Sequence, residues 1–293
     1  MAPIDDRSFG CIWGRQLYGL REGDLAHGIE VTMWDTARKI TFVLFTGAGN
    51  PTVEAERVRD VITAQPKGNN EFALRLRRAK TESRLVVSAD GTGQPSGMPE
   101  TAYIFEGPAV WELTLMGSRI QLAFDAMGYK ELAGRDTTLA SVCARIAPNL
   151  ARLVDEVGLR FNRAALQLHL EGFDGTNTSA IIQKRFGANL HDHADTTDVR
   201  DVMIRRNLVT DWELSATPHK GNRVEINRLE TATEKGGYRN NERFASLVWL
   251  FDINTSPAAL STLTGENIAC FFKHASEWVD TQEKSVNDLA TAV

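Results

Sequence analysis

Hydrophobic and polar residues alternate with a period of two through most of the first 125 residues, which is the pattern of strands that bury one face. Segments 28–34 and 38–45 predict a strand pair across Asp35-Thr-Ala37, and Phe72, Leu74 and Leu76 alternate with Ala73, Arg75 and Arg77. Segments 83–88, 102–105, 109–115 and 119–124 continue the series, the last two joined by a tight Met116-Gly-Ser118 turn. One helix interrupts it, from 51 to about 64, with Asn50 as its cap and Pro51 at its first position. Segment 90–99 gathers Gly, Pro and Ser and reads as a hairpin tip in preference to a lid.

From Asp136 the period becomes helical, and Leu139, Val142, Cys143, Ile146, Leu150, Leu153 and Val154 fall on one stripe that Pro148 should kink or split. Strand character returns through 157–161, followed by Leu166, Leu168 and Leu170 on one face and Gln167, His169 and Glu171 on the other. Polar segments at 171–179 and 187–198 precede strands at 212–216 and 223–229, and 231–242 is again polar. Segment 244–253 is a strand apolar on both faces, which must be covered on both. The helix predicted over 264–289 can cover it with Ile268, Phe271, Phe272, Ala275, Trp278, Val279, Val286 and Leu289. The expected fold class is α+β, in two lobes of mostly antiparallel sheet, each covered by a long amphipathic helix, with lobes at 1–125 and 126–293. Strand, strand and long helix recur around 109–155 and in part at 223–289, without residue identity behind the recurrence.

Charge changes the picture in one respect. A net charge of -5, with only short basic runs at Arg75 to Lys80 and Arg205-Arg206, gives phosphate backbones no reason to bind, so no nucleic acid is expected. No apolar run reaches the ~18 residues of a membrane span, and the first residues lack the basic start and apolar centre of a secretory signal, so the cytoplasm is the expected compartment. Three scattered cysteines, Cys11, Cys143 and Cys270, argue against a disulfide framework.

Two segments could carry chemistry. The apolar strand ending in Gly47-Ala-Gly49-Asn50 leads into a helix N-terminus, where free N–H groups favour a phosphate. It lacks the third glycine and the lysine of the phosphate-binding motifs, and Arg77-Arg78 stand where an acidic ribose ligand would. The string His191-Asp-His193-Ala-Asp195, with Asp198 nearby, offers imidazoles and carboxylates to a divalent metal such as zinc, manganese or iron. It resembles the His-x-His-x-Asp motif of the metallo-β-lactamase fold, with Thr196 in place of the histidine that follows. Further ligands would have to come from His169, His219 or Asp174. There is no Gly-x-Ser-x-Gly elbow, Cys143 and Cys270 sit on apolar stripes, and Asp174 to Ser179 lacks the spacing of a calcium loop.

The run 111–124, the helix after Asp136, Gly158-Leu-Arg-Phe-Asn-Arg163 and Leu250-Phe-Asp-Ile-Asn254 before a terminal helix resemble a sporadically distributed family of uncharacterised bacterial proteins. That family carries a Gly-Leu-Arg-Tyr-Ile-Asn strand and a late Asp-Ile-Asp ending. Here the Ile is missing, which shifts register by one residue, and Asn254 replaces the second Asp. The resemblance implies a cytoplasmic bacterial protein of two α+β lobes and brings no activity or site residues.

The function expected from these readings is a non-catalytic binding or accessory protein that presents sheet surfaces and loops to a protein partner or ligand. The alternatives are a metal-dependent hydrolase or phosphodiesterase using His191, His193 and Asp195, and a nucleotide-binding sensor using Gly47, Gly49 and Asn50. A homodimer is expected if the stripe of the closing helix exceeds what its own lobe covers.

Overall fold

A computed structural model describes residues 37–46, 55–63, 75–87, 93–106, 111–116, 119–125, 138–173, 178–187, 203–214, 220–239, 242–256 and 262–291. The chain divides into units Met1–Thr32 and Met33–Val293, and all described residues belong to the second. The strand expected at 28–34 lies outside them.

Nine described strands form one sheet: β1 Ala37–Thr46, β2 Arg75–Val87, β3 Gly93–Glu106, β4 Trp111–Met116, β5 Arg119–Asp125, β6 Phe161–Phe173, β7 Met203–Glu213, β8 Arg223–Arg239 and β9 Glu242–Thr255. Their order is β2-β3-β4-β5-β1-β6-β9-β8-β7, and every neighbouring pair is antiparallel. The described helices are α1 Ala55–Thr63, α2 Leu139–Val157, α3 Thr178–Phe186 and α4 Gly265–Thr291. The mixed α and β character with an antiparallel sheet is as the alternation predicts.

The element order repeats. β1, α1, the β2 to β5 meander and α2 are followed by β6, α3, the β7 to β9 meander and α4. In each run the first strand pairs with the strand just before the long helix, β1 with β5 and β6 with β9. The boundary of this repeat falls between α2 and β6, and the two runs join where β1 and β6 pair.

β1 sits at the centre because Ile40 to Leu44 is apolar or β-branched throughout, and all five residues are buried. Ile40, Phe42 and Leu44 face a core that also takes Leu166, Leu168 and Leu170 of β6 and Leu247, Trp249, Phe251 and Ile253 of β9. The four helices add to this same core, through Ile62, Ile146, Ile181 and Phe271 among others, so they lie on one face of the sheet. α2 and α4 run antiparallel: Gly265 abuts Ala151 near one end, and near the other the Asp280 carboxylate accepts from the Ala140 N–H at 3.2 Å. Arg38 of β1 reaches α4 with a bidentate pair to Glu283 at 2.9 and 3.0 Å. Asn149 of α2 donates to the Ile62 carbonyl of α1 at 2.9 Å.

Several elements differ from the sequence expectation, among them β7, which spans Met203–Glu213 where a strand at 212–216 is expected. α2 runs unbroken through Pro148, which is exposed on its solvent side. Strand does not resume at 157: Gly158 takes a left-handed conformation with φ 75, its N–H returns to the Leu153 carbonyl, and β6 begins at Phe161. α3 forms across 178–186, between the polar segments expected at 171–179 and 187–198, where no element is expected, because its fully buried apolar residues are the adjacent Ile181 and Ile182, too short a pattern to show a period. Finally, β8 continues to Arg239 through the polar segment, and β3 begins at Gly93, opposite Val87, so 93–99, expected within a hairpin tip, are strand.

The stripe of α4 is spent inside its own chain, with Ile268, Phe271, Phe272, Ala275, Val279 and Val286 all buried. No wide apolar seam is left on α4 for the dimer expected there. The close approach of the two long helices yields a prediction. A Cβ added at Gly265 would stand 2.8 Å from the Ala151 carbonyl oxygen, a backbone atom that cannot turn aside. Gly265→Ala is expected to destabilise the protein by about 1–3 kcal/mol, lowering the thermal midpoint by about 2–4 °C per kcal/mol in calorimetry.

Candidate functional site

The face of the sheet opposite the helices carries the described side chains best suited to recognition. On β6, pairing with β9 places Gln167 opposite Asp252 and Ala165 opposite Asn254, and β8 places Asn227 opposite Asn254. These side chains form a chain of hydrogen bonds across four strands. Asn207 Nδ2 donates to Asn227 Oδ1 at 3.1 Å, and Asn227 Nδ2 donates to Asn254 Oδ1 at 3.5 Å. Asn254 Nδ2 donates to Asp252 Oδ1 at 3.1 Å, while Gln167 Nε2 reaches Asp252 Oδ2 at 3.1 Å from the other side. The dipoles therefore all run toward one carboxylate, an arrangement in which each bond polarises the next. Each amide spends one of its two N–H donors in the ladder.

Beside the ladder the face is floored by short side chains. Thr41, Val43, Ala123 and Ala165 are buried there, outside the helix-side core. Farther along β1, Phe45 stands opposite Arg119 of β5 and Arg163 of β6. The Arg163 guanidinium lies 4.8 Å from the centre of the Phe45 ring, and the Nε atoms of both arginines are buried without a hydrogen-bond partner. Two cations with unused donors thus flank one aromatic ring. His169, opposite Lys39 and Leu250, is half-buried on the same face.

A second polar cluster lies on the helix side and has a different character. Glu230, 1% exposed, accepts from Arg185 Nε at 2.9 Å, Arg206 Nε at 2.7 Å and Trp249 Nε1 at 3.0 Å. Arg185 also donates to Ser285 Oγ at 2.8 Å and Gln282 Oε1 at 2.5 Å. Phe186 stacks on Trp249, and the Arg206 guanidinium lies over the Phe186 ring at 5.1 Å. The Glu230 carboxylate, with three donors around it, anchors α3 between β8 and α4.

Protonation on both sides favours neutral histidine. Burial first, then the neighbouring Arg228 charge, lowers the pKa of His274 below its ordinary value against the opposing pull of Glu277. Arg228 Nη2 lies 3.0 Å from His274 Nε2, an arrangement that suits an unprotonated acceptor. Burial likewise lowers His169; Glu171 opposes this, and Lys235 and Lys39 add to it. Both rings are depressed in the folded state, so their contribution to stability is complete above the unfolded value of about 6.5 and is lost as pH falls through the folded values. The urea midpoint is expected to drop between about pH 7.5 and pH 5.5, and His274→Gln, which keeps an acceptor without the titration, should make that drop smaller.

Gly47, Gly49, Asn50, His191, His193 and Asp195 lie outside the described residues, as do Asp174, Asp198 and His219. His169 belongs to the open sheet face. Among the described residues no group of three or more His, Cys, Asp or Glu is placed to hold a metal ion. Cys143 is buried and its thiol is pushed up to about 12 by that burial, with Ser276 lowering and Asp280 raising it, so it is packing and not a nucleophile. No described helix is long and apolar enough to cross a membrane. Sequence reading missed Asp252, Asn254, Asn227, Asn207, Arg119 and Arg163 as site residues. Alternation put Gln167 on the polar face, but nothing in it says that β9 and β8 are the next strands across.

No family model and no curated protein matches the chain. A solved structure, the di-domain ARO/CYC StfQ from the steffimycin biosynthetic pathway, aligns over 87% of this chain and 99% of that one, at 10% identity and a TM-score of 0.19. A score that low assigns no common fold.

Proposed function

We propose that this protein is a non-catalytic binding protein of a bacterial cytoplasmic system, and that the open face of its sheet holds a segment of a protein partner. The observation that carries this reading is the Gln167, Asp252, Asn254, Asn227 and Asn207 ladder on a face with no described helix over it. An interior sheet face would be apolar, and a merely solvated one has no need of side chains ordered across four strands. Amide donors suit the carbonyls of an extended peptide, and Arg119 and Arg163 beside Phe45 suit an acidic side chain of that peptide. Glu112, Asp125, Glu171 and Asp252 share the face by register, which disfavours a polyanion such as nucleic acid.

Capture from a bacterial lysate with three immobilised forms tests this: the wild type, a Gln167→Lys/Asn227→Lys double variant, and a Lys184→Ala control on exposed α3. The expected result is a protein retained by the wild type and the control and lost from the double variant. Equal retention by all three would overturn the assignment of the open face.

A further inference from the structure

We infer that two copies of this chain join edge to edge through β7, extending the sheet across a two-fold axis at Leu208. β7 is the last strand in the sheet order, so one side of its eleven-residue backbone has no described strand beside it. Such an edge is a template for another strand, and natural edges are usually short or blunted by charge. This one is long, and Met203, Leu208 and Val209 are 66%, 48% and 52% exposed.

The occupant follows from the sequence of the edge itself. Antiparallel pairing of β7 with a second β7 about Leu208 overlaps its whole length and sets Leu208 against Leu208. The same register puts Ile204 against the second copy's Trp212, two apolar residues of the helix side, and Arg205 against the second copy's Asp211 on the open side. Symmetry makes each contact twice. Arg205 is exposed, and Asp211 has only a loose, exposed pairing with Arg223 at 3.9 Å, so both are available. Arg206 is turned inward to Glu230 and stands opposite Thr210, where it adds no repulsion. Moving the axis to Val209 shortens the overlap and sets Leu208 against Thr210 and Arg206 against Trp212, a poorer match. A foreign strand could use the same edge, but nothing on it selects such a partner, whereas the edge matches itself in the Arg205–Asp211, Ile204–Trp212 and Leu208–Leu208 pairs, with Met203 and Val209 falling opposite Glu213 and Asn207.

A two-fold axis perpendicular to the sheet keeps like faces together. The helices of both copies lie on one side, and the two amide ladders, each ending at Asn207, meet on the other, with Asn207 opposite the second copy's Val209. The pairing itself does not depend on what the open face binds.

Sedimentation velocity on the intact chain, with circular dichroism to confirm folding, tests the proposal through a charge exchange. The wild type is expected to be a dimer. Arg205→Asp and Asp211→Arg should each weaken it by about tenfold or more, because two attractive cross-strand pairs become repulsive, and the Arg205→Asp/Asp211→Arg double variant should restore it. A wild type that stays monomeric at all concentrations overturns the proposal. A dimer indifferent to either single change, or a double variant that remains monomeric, overturns it as well.

Discussion

Glu230→Ala is expected to lower the free energy of unfolding by about 3–5 kcal/mol, measured from urea denaturation. The substitution removes the carboxylate that accepts from Arg185, Arg206 and the Trp249 indole, and leaves these donors behind in a site that is 1% exposed at its centre. Most of the loss is the cost of stranding Arg185, itself half-buried, without its counter-charge. The effects of Glu230→Ala and Arg185→Ala should therefore not add: the double variant is expected to be less destabilised than the sum of the singles, because removing the cation relieves the penalty left by removing the anion. A loss below about 1 kcal/mol for Glu230→Ala would mean that the cluster is solvated and does not anchor α3.

Phe272→Ala should cost about 3–5 kcal/mol. Phe272 is fully buried on α4 and meets Phe42 of β1 edge to face at 5.2 Å and Phe271 at 5.4 Å. It therefore links the helix of the second repeat to the central strand of the first, where collapse of the surroundings into the vacated space is most restricted. Comparing Phe272→Ala, Phe42→Ala and the double variant should give a coupling of about 0.5–1.5 kcal/mol for the ring pair beyond the area each buries. Additive losses would show that the two rings contribute independently.

These two residues also mark how far the sequence could be read. Phe272 was legible: it falls on a three-and-four spacing with Ile268, Phe271 and Ala275, and periodicity alone puts it inside. Leu166, Leu168 and Leu170 were legible for the same reason with the period of a strand. Glu230 was not. A lone carboxylate in a polar stretch carries no sign that it is buried, since its burial depends on Arg185, which lies 45 residues earlier, and on a helix too short to show its own period. The open face follows the same rule. That Gln167 lies on a polar face is local information, but its partnership with Asp252 is set by strand order, in which β9, the last described strand of the chain, lies next to β6 with β8 and β7 beyond it. The recurrence of strand and long helix was visible as topology without identity, and the structure extends it to whole runs of elements.

The fold thus separates two kinds of polar group. On the helix side, Glu230 and Arg185 satisfy one another and hold the architecture, while Arg228 Nε, Thr210 Oγ1 and the Asn267 side chain are buried there without a partner. The polar groups on the open side are tied into a ladder, next to Arg119 and Arg163, whose Nε atoms find no partner. The proposed binding rests on the second set, which joins side chains ordered across four strands to arginine Nε donors without a partner.

Site-directed photocrosslinking tests this most directly. A photoreactive phenylalanine analogue is placed at Asn227 on the open face or, in a separate protein, at Glu266 on the exposed side of α4, and each is irradiated in bacterial cells. A discrete crosslinked protein adduct from position 227, with none from position 266, is the result expected here. Adducts from position 266 alone would place the partner on the helices and contradict the assignment of the open sheet face as the binding surface.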